Sequence, residues 1–188
     1  MAIVVLAACV GSRGRELAVP DVRQATDYTC SASALQAVLA YYGIEAREDV
    51  LARELGATPE DGAPPEAIVR VAVARGVRAV KRERMTIDEL AAVVAQGHPV
   101  IVELQAWSDA PRRSWADDWD DGHYAVLIAV EGDQLVFEDP SVLGSRAVLS
   151  RRELEERWHD VDAGYRNVRT GIVFGGRPAP PPERIHMD

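Results

Sequence analysis

The 188-residue sequence has little of what several classes of protein require. Its two cysteines, Cys9 and Cys30, are too few for a disulfide framework. Its four histidines are scattered and show no spacing typical of a zinc site. Its longest apolar run, Ala2 to Val10, is far shorter than the roughly 20 residues that a membrane-spanning helix needs. The sequence therefore predicts no disulfide scaffold, no metal site and no membrane-spanning segment.

Basic side chains are also in the minority. There are 21 Lys and Arg against 30 Asp and Glu, which gives a net charge of −9. The electrostatic field of this negative charge repels phosphate backbones and anionic lipid headgroups, so nucleic acid is excluded as the main partner. At this length, with 47% hydrophobic residues, the chain can bury one core and is expected to form one domain with short tails.

The first 18 residues allow two interpretations. The apolar run ends in Leu6-Ala7-Ala8-Cys9, which resembles a bacterial lipobox with Cys9 as the lipidated residue of an exported, membrane-anchored protein. However, the run is short, and no Lys or Arg precedes it. The alternative is a buried first strand in a cytoplasmic protein.

Helices are predicted in the first half of the chain. Apolar residues from Cys30 to Tyr42 follow helical spacing, and Cys30 opens this helix. Further helices are expected at 47–55, from Pro64-Pro65 to Gly76, and from the capping box at Thr86 to Val94. The basic run 78–84 is expected to be an exposed strand edge.

Strands follow in the second half. Runs rich in β-branched residues predict strands at 100–104, 123–131, 134–138 and 171–174, with a short helix after the capping box at Ser150. This order predicts an α+β fold in which N-terminal helices pack on a C-terminal antiparallel sheet. We expect one domain over 19–174 and a solvated, Pro-rich tail over 175–188.

A small set of residues points to thiol chemistry. Gln24 lies six residues before Cys30, His123 begins one strand, and Asp139 ends the next in Glu-Asp-Pro-Ser. Together they resemble the bacteriocin-processing, double-glycine leader peptidase family of papain-like cysteine proteases, and more closely its stand-alone relatives. The resemblance covers about Val19 to Phe174.

The resemblance implies a role for each of these residues. Cys30 would be the nucleophile, His123 its base, Asp139 the group that orients the imidazole, and Gln24 the oxyanion-hole donor. Ser31 stands where family members often have Gly, which is expected to narrow the approach to the thiol. Founding members are fused to a transporter and an ATPase that this sequence lacks, so the leader-peptide substrate does not carry over.

Physical chemistry supports a histidine partner independently. Thiol enzymes lower the thiol pKa from about 8.5 by roughly 4 units, which takes about 5.5 kcal/mol. A helix N-terminus supplies at most about 2 kcal/mol, so an imidazolium must supply the rest. Of the four histidines, only His123 has a nearby strand-borne carboxylate.

The turn between the two strands decides whether Asp139 can reach His123. A regular two-residue turn at Gly132-Asp133 would place the two side chains on opposite faces of the sheet, whereas an odd loop or an equivalent bulge places them on the same face. We therefore predict an odd loop or a bulge, with Asp139 opposite Ala125. Glu138 faces the other way and is not expected to reach His123.

The acidic loop Trp115 to Gly122 invites a calcium interpretation, but it fails the EF-hand spacing. We expect instead a solvated loop beside the cleft, in which Trp119, Asp121 and Gly122 contact substrate. Its acidity would favour cationic peptides.

These observations predict a cysteine peptidase that acts on a peptide or protein substrate and needs no cofactor. Two alternatives stay open. The same thioester given to an amine would make a transferase or transpeptidase, and an idle thiol would leave a peptide-binding module.

Overall fold

The computed structural model describes residues 16–108, 114–162, 164–180 and residue 186. Cys9 and the lipobox-like segment lie outside these residues. The helices are α1 Cys30–Tyr41, α2 Glu48–Leu55, α3 Pro65–Ala74, α4 Ile87–Ala95 and α5 Arg151–Arg157. The strands are β1 Arg78–Arg82, β2 Val100–Gln105, β3 Gly122–Glu131, β4 Gln134–Glu138, β5 Ala147–Ser150, β6 His159–Asp162, β7 Tyr165–Val168 and β8 Gly171–Gly175.

Six strands form one antiparallel sheet in the order β1-β8-β2-β3-β4-β5. Helices α1, α2 and α3 cover one face, where Leu35 and Leu39 pack with Tyr124, Val126 and other buried residues. Helices α4 and α5 cover the opposite face through a second buried cluster. The α+β prediction is confirmed, but the fourth helix packs on the other side of the sheet from the first three.

The predicted local signals account for most element boundaries. Both capping boxes are present: the side chains of Thr86 and Ser150 accept from the backbone N–H of Glu89 and Glu153, whose carboxylates accept in return. The basic run forms β1 at one edge of the sheet, as predicted. Each of these signals acts within one turn or one strand, which is why the sequence alone reveals it.

Three strands were not predicted: β5, which pairs with β4 at one edge of the six-stranded sheet, and β6 and β7. Strands β6 and β7 form a separate two-stranded hairpin with sequences His-Asp-Val-Asp and Tyr-Arg-Asn-Val. Neither has the run of apolar or β-branched residues that marks a buried strand, because polar side chains from this hairpin are buried against β2.

The ends of the described chain are attached to the domain. The backbone N–H of Leu17 donates to the carbonyl oxygen of Ile128 at 3.0 Å, so the packed region begins before residue 19. In the Pro-rich tail, the N–H of Ala179 donates to the carbonyl of Tyr41 at 3.0 Å. The described part of the tail is therefore partly docked on the end of α1 rather than wholly solvated.

Candidate active site

Cys30 is the first residue of α1 and is buried as a free thiol. The turn before it is closed by Thr26 and Thr29, whose hydroxyl groups lie 3.0 Å apart, while the hydroxyl of Thr29 donates to the Thr26 carbonyl at 3.1 Å. Ser31 is fully buried. The small residues along α1 let it pack closely on the sheet, which fixes the position of the sulfur.

His123 and Asp139 are brought together by β3 and β4. Nε2 of His123 lies 2.8 Å from Oδ1 of Asp139, and both side chains are buried. The turn between the strands has two residues, since Glu131 pairs with Gln134, but the register shifts between Leu127 and Ala129. The predicted bulge is therefore present, at Ile128.

The bulge restores the register that the orienting contact needs. Beyond it, Val126 pairs with Glu138, so the next positions along the strands are Ala125 and Asp139. His123 and Asp139 then share a face as diagonal neighbours, which side chains can bridge. Without the bulge, Asp139 would be opposite Val126 and would face away from His123.

The imidazole of His123 contacts Cys30 as well as Asp139. Burial lowers the pKa of His123, but hydrogen bonds to Asp139 and Cys30 and their negative charges raise it to about 10. Since Nε2 faces Asp139, Nδ1 is the ring nitrogen left for the sulfur. A ring protonated at neutral pH, next to a thiol, is the charge partner that a thiolate requires.

Asp139 remains ionised for identifiable reasons. Burial raises the pKa of Asp139, but the hydrogen bond and positive charge of His123, with further hydrogen bonds from Ser141 and Trp107, bring it below its usual value. The neighbouring Glu138 points to the other side of β4 and accepts from the N–H of Val22 at 3.1 Å. The prediction that Asp139, not Glu138, faces His123 is thus consistent with the contacts.

Gln24 lies in the loop before α1 and is tied to the end of β4. Its backbone N–H donates to the carbonyl of Pro140, the residue after Asp139, at 2.9 Å. Its side-chain Nε2 donates to the carbonyl of Thr26 at 3.0 Å. This bond uses one of the two N–H groups of the amide, and the role of Gln24 as an oxyanion-hole donor stays a prediction.

Sequence reasoning gave no role to Trp107 or Ser141. Nε1 of Trp107 donates to Oδ2 of Asp139 at 3.0 Å, and the N–H of Ser141 donates to Oδ1 at 2.8 Å. Ser141 could have been found, because an Asp two residues before it can form an Asx turn. Trp107 carries no such local signal, since it is 32 residues from Asp139.

The predicted substrate-contacting residues have structural partners. The ring of Trp119 packs on that of His159, with centroids 4.3 Å apart, and the guanidinium of Arg166 lies 4.5 Å from the centroid of Trp119. The N–H of Asp121 donates to Oε1 of Gln105 at 2.8 Å. Gly122 abuts Asp160, so a Cβ atom at 122 would overlap that carboxylate. Substrate contact by Trp119, Asp121 and Gly122 stays a prediction.

A group of buried acidic residues lies close to His123 and was not predicted. Glu103 is 2% exposed and accepts from the hydroxyl of Tyr124 at 3.1 Å. Burial, with contributions from Asp162 and Asp160, raises the pKa of Glu103. Burial also raises the pKa of Asp160 to about 6. The sequences of β2 and β6, which carry Glu103 and Asp160, do not indicate that these carboxyl groups are buried.

Among the described residues, no three His, Cys, Asp or Glu side chains are arranged to hold a metal ion. No helix in this part of the chain combines the length and hydrophobicity needed to cross a membrane.

Comparison with known proteins places this geometry in a family. The chain is 29% identical over 121 residues to an uncharacterized protein of Methanothermobacter marburgensis, which covers 64% of this chain and 71% of that protein. It resembles the crystal structure of a putative C39-like peptidase from Bacillus anthracis, with a TM-score of 0.63 and 18% identity over 86% of this chain and 96% of the other.

Two transporter-associated domains are similar in fold. The peptidase domain of Streptococcus ComA, a bi-functional ABC transporter involved in quorum sensing, matches with a TM-score of 0.61 and 19% identity, covering 83% and 97% of the two chains. A double glycine motif protease from an AMS/PCAT transporter, solved with its leader peptide, matches with a TM-score of 0.59 and 17% identity, covering 88% and 94%.

The sequence profile of the Peptidase_C39 like family matches residues 16–164, which is most of the chain. These similarities support the fold described above, in which helices cover an antiparallel sheet. The chain therefore belongs to the Peptidase_C39 like family, whose members have the papain-like fold of cysteine peptidases.

Proposed function

We propose that this protein hydrolyses peptide bonds with Cys30 as nucleophile, His123 as general acid and base, Asp139 as the orienting carboxylate and Gln24 as an oxyanion-hole donor. The observation that carries the proposal is the position of the His123 ring, which bonds to Asp139 at 2.8 Å and also contacts Cys30. A structural cysteine would not need a charged imidazole beside it.

The cycle follows from this arrangement. The Cys30 thiolate attacks the carbonyl carbon, and the oxygen that gains charge accepts from Gln24 and the backbone N–H of Cys30. Collapse of the intermediate breaks the C–N bond, and the leaving amine takes the proton from Nδ1 of His123. His123 then removes a proton from water, which attacks the thioester and releases the acid and the free Cys30. No cofactor enters any step.

The substrate class is a peptide or protein. The solved relative that holds a leader peptide acts at double glycine motifs, and a small residue before the cut bond is a reasonable first choice for peptide libraries. Hydrolysis and transfer share the same thioester, so products must be analysed with and without an added amine.

Labelling with a thiol-directed electrophile tests the nucleophile. Cys9→Ser should retain both activity and labelling at Cys30, whereas adding Cys30→Ala to this variant should abolish labelling and activity together. Labelling at Cys30 that increases through acidic to neutral pH indicates an activated thiol. Peptidase activity that persists in Cys30→Ala, or a Cys30 that reacts with the pH dependence of an ordinary thiol, would overturn the proposal and leave the binding-module alternative.

A further inference from the structure

Trp107 stands just beyond β2 in an unusual setting. Its φ angle is 57°, in the left-handed region that side chains other than Gly rarely adopt. Its side chain is 55% exposed, although tryptophan is among the most apolar residues in the chain. Both features cost free energy, of about 1–3 kcal/mol for the backbone alone. Such an outlier near reacting groups suggests a function for the residue.

The indole compensates through one directed contact. Nε1 of Trp107 donates to Oδ2 of Asp139 at 3.0 Å. The other oxygen, Oδ1, accepts from His123 and from the N–H of Ser141, both at 2.8 Å. Trp107 therefore occupies the carboxylate oxygen that the imidazole does not use.

Holding both oxygens matters because a carboxylate can rotate about its Cβ–Cγ bond. A donor on Oδ1 alone permits either oxygen to face the imidazole, or neither. With Oδ2 fixed by the indole, Oδ1 stays directed at Nε2, and Nδ1 is held toward the sulfur. A donor to the carboxylate also favours its ionised form.

We propose that Trp107 is a positioning residue that acts through Asp139 to fix the orientation of His123. This deepens the proposed function, on which it rests. In this role Trp107 acts through its hydrogen bond to Asp139 and not through contact with the sulfur. The exposed surface of its ring takes no part in the role.

Trp107→Phe tests the role, because it keeps an aromatic ring and removes the N–H donor. We expect kcat to fall about tenfold with little change in KM, as for loss of one hydrogen bond to a charged group. The acidic limb of the pH profile should move to higher pH, because Asp139 loses a donor that stabilises its charge. Tyr165→Phe, at an exposed aromatic of β7, is the control and should change neither quantity.

A readout that needs no turnover separates this inference from the peptidase proposal. The Nε2–H proton of His123 can be observed by proton NMR, and Trp107→Phe should shift or broaden its resonance. The other resonances should remain those of a folded protein. An unchanged resonance with unchanged kcat would overturn the inference. A rise in KM alone, with the resonance unchanged, would also overturn it and would make the indole a substrate contact. If Trp107→Phe changes the His123 resonance but the wild-type protein has no peptidase activity, only the proposed function is overturned.

Discussion

His123 and Asp139 are diagonal neighbours on adjacent antiparallel strands, and one extra residue, Ile128, makes them so. The β3–β4 hairpin closes with a two-residue turn, which alone would put the two side chains on opposite faces. The bulge changes the pairing for the whole N-terminal part of β3. A single inserted residue thus places a carboxylate on the imidazole that contacts Cys30.

Removal of the Asp139 carboxylate should therefore change the orientation of the His123 ring more than it changes the stability of the fold. We expect Asp139→Ala to lower kcat by about 10²-fold, the order of loss that misplacement of a reacting group causes. Asp139→Asn should be milder, because its amide oxygen can still accept from Nε2. The pKa of His123, measured by NMR titration, should fall from about 10 in both variants, since the negative charge is lost. Asp133→Asn, in the exposed turn, is the control; an unchanged pKa of His123 in Asp139→Ala would contradict the assignment.

The oxyanion role of Gln24 predicts a difference between two reactions of the same sulfur. Gln24→Ala should lower peptide turnover by about 10²–10³-fold, because hydrolysis develops charge on an oxygen. Alkylation of Cys30 by iodoacetamide develops no such charge at a carbonyl and should stay near the wild-type rate. Gln96→Ala removes a similar bond, from the side chain to the Ala92 carbonyl, far from the site. Equal losses in turnover and alkylation would instead mean that Gln24 only holds the loop.

Gly122 should tolerate no side chain. A Cβ atom there would lie 2.6 Å from Oδ1 of Asp160 and closer still to Oδ2, next to His123. We expect Gly122→Ala to destabilise the fold by about 1–3 kcal/mol, as overpacking does, and to reduce kcat. Gly175→Ala is the matched control, since its added Cβ meets the flexible Arg78 side chain at 3.4 Å.

A second variant distinguishes the clash from other effects of Gly122→Ala. Asp160→Ala removes the group that the new methyl group would meet. The loss of stability in the double variant, measured by thermal unfolding, should therefore be smaller than the sum of the losses in the two single variants. Strict additivity would contradict the steric explanation.

Glu138 predicts a pH-dependent contribution to stability. Burial, opposed by the hydrogen bond from Val22 and the charge of Arg146, raises the pKa of Glu138 to about 8, against 4.5 for an ordinary glutamate. The folded state then binds more protons than the unfolded state between these values. The free energy of unfolding should therefore fall as pH rises through this window, by at most about 1.4 kcal/mol per pH unit.

Glu138→Gln mimics the protonated form and should remove this dependence. It keeps the oxygen that accepts from Val22 and cannot ionise. Denaturant unfolding at several pH values should show a variant whose advantage over the wild type grows from about pH 5 to pH 8. Glu131→Gln, at the exposed end of β3, serves as the control. Parallel stability curves for wild type and Glu138→Gln would contradict the prediction.

Some of this site could be predicted from residues alone. The helix start at Cys30, the strands that carry His123 and Asp139, and the need for an odd loop or a bulge between them all follow from local periodicity and turn chemistry. The sequence could not choose between loop and bulge, because either satisfies the same alternation. The surroundings of Trp119 and the division of helices between two sheet faces depend on packing. The structure places Trp119 against His159 and Arg166, partners that the sequence did not indicate.

The amino-acid sequence by itself determined the five helices with their capping boxes, most strands of the main sheet, and which residue types carry thiol chemistry. Those features depend on neighbours within a few positions, where capping bonds and alternating polarity act. Only the tertiary structure decided that Trp107 bonds to Asp139, that Asp160 abuts Gly122, and that the His123 ring reaches Cys30, 93 positions away. Such contacts have no local signal, because they are fixed by how α1 and the β6–β7 hairpin pack on the sheet.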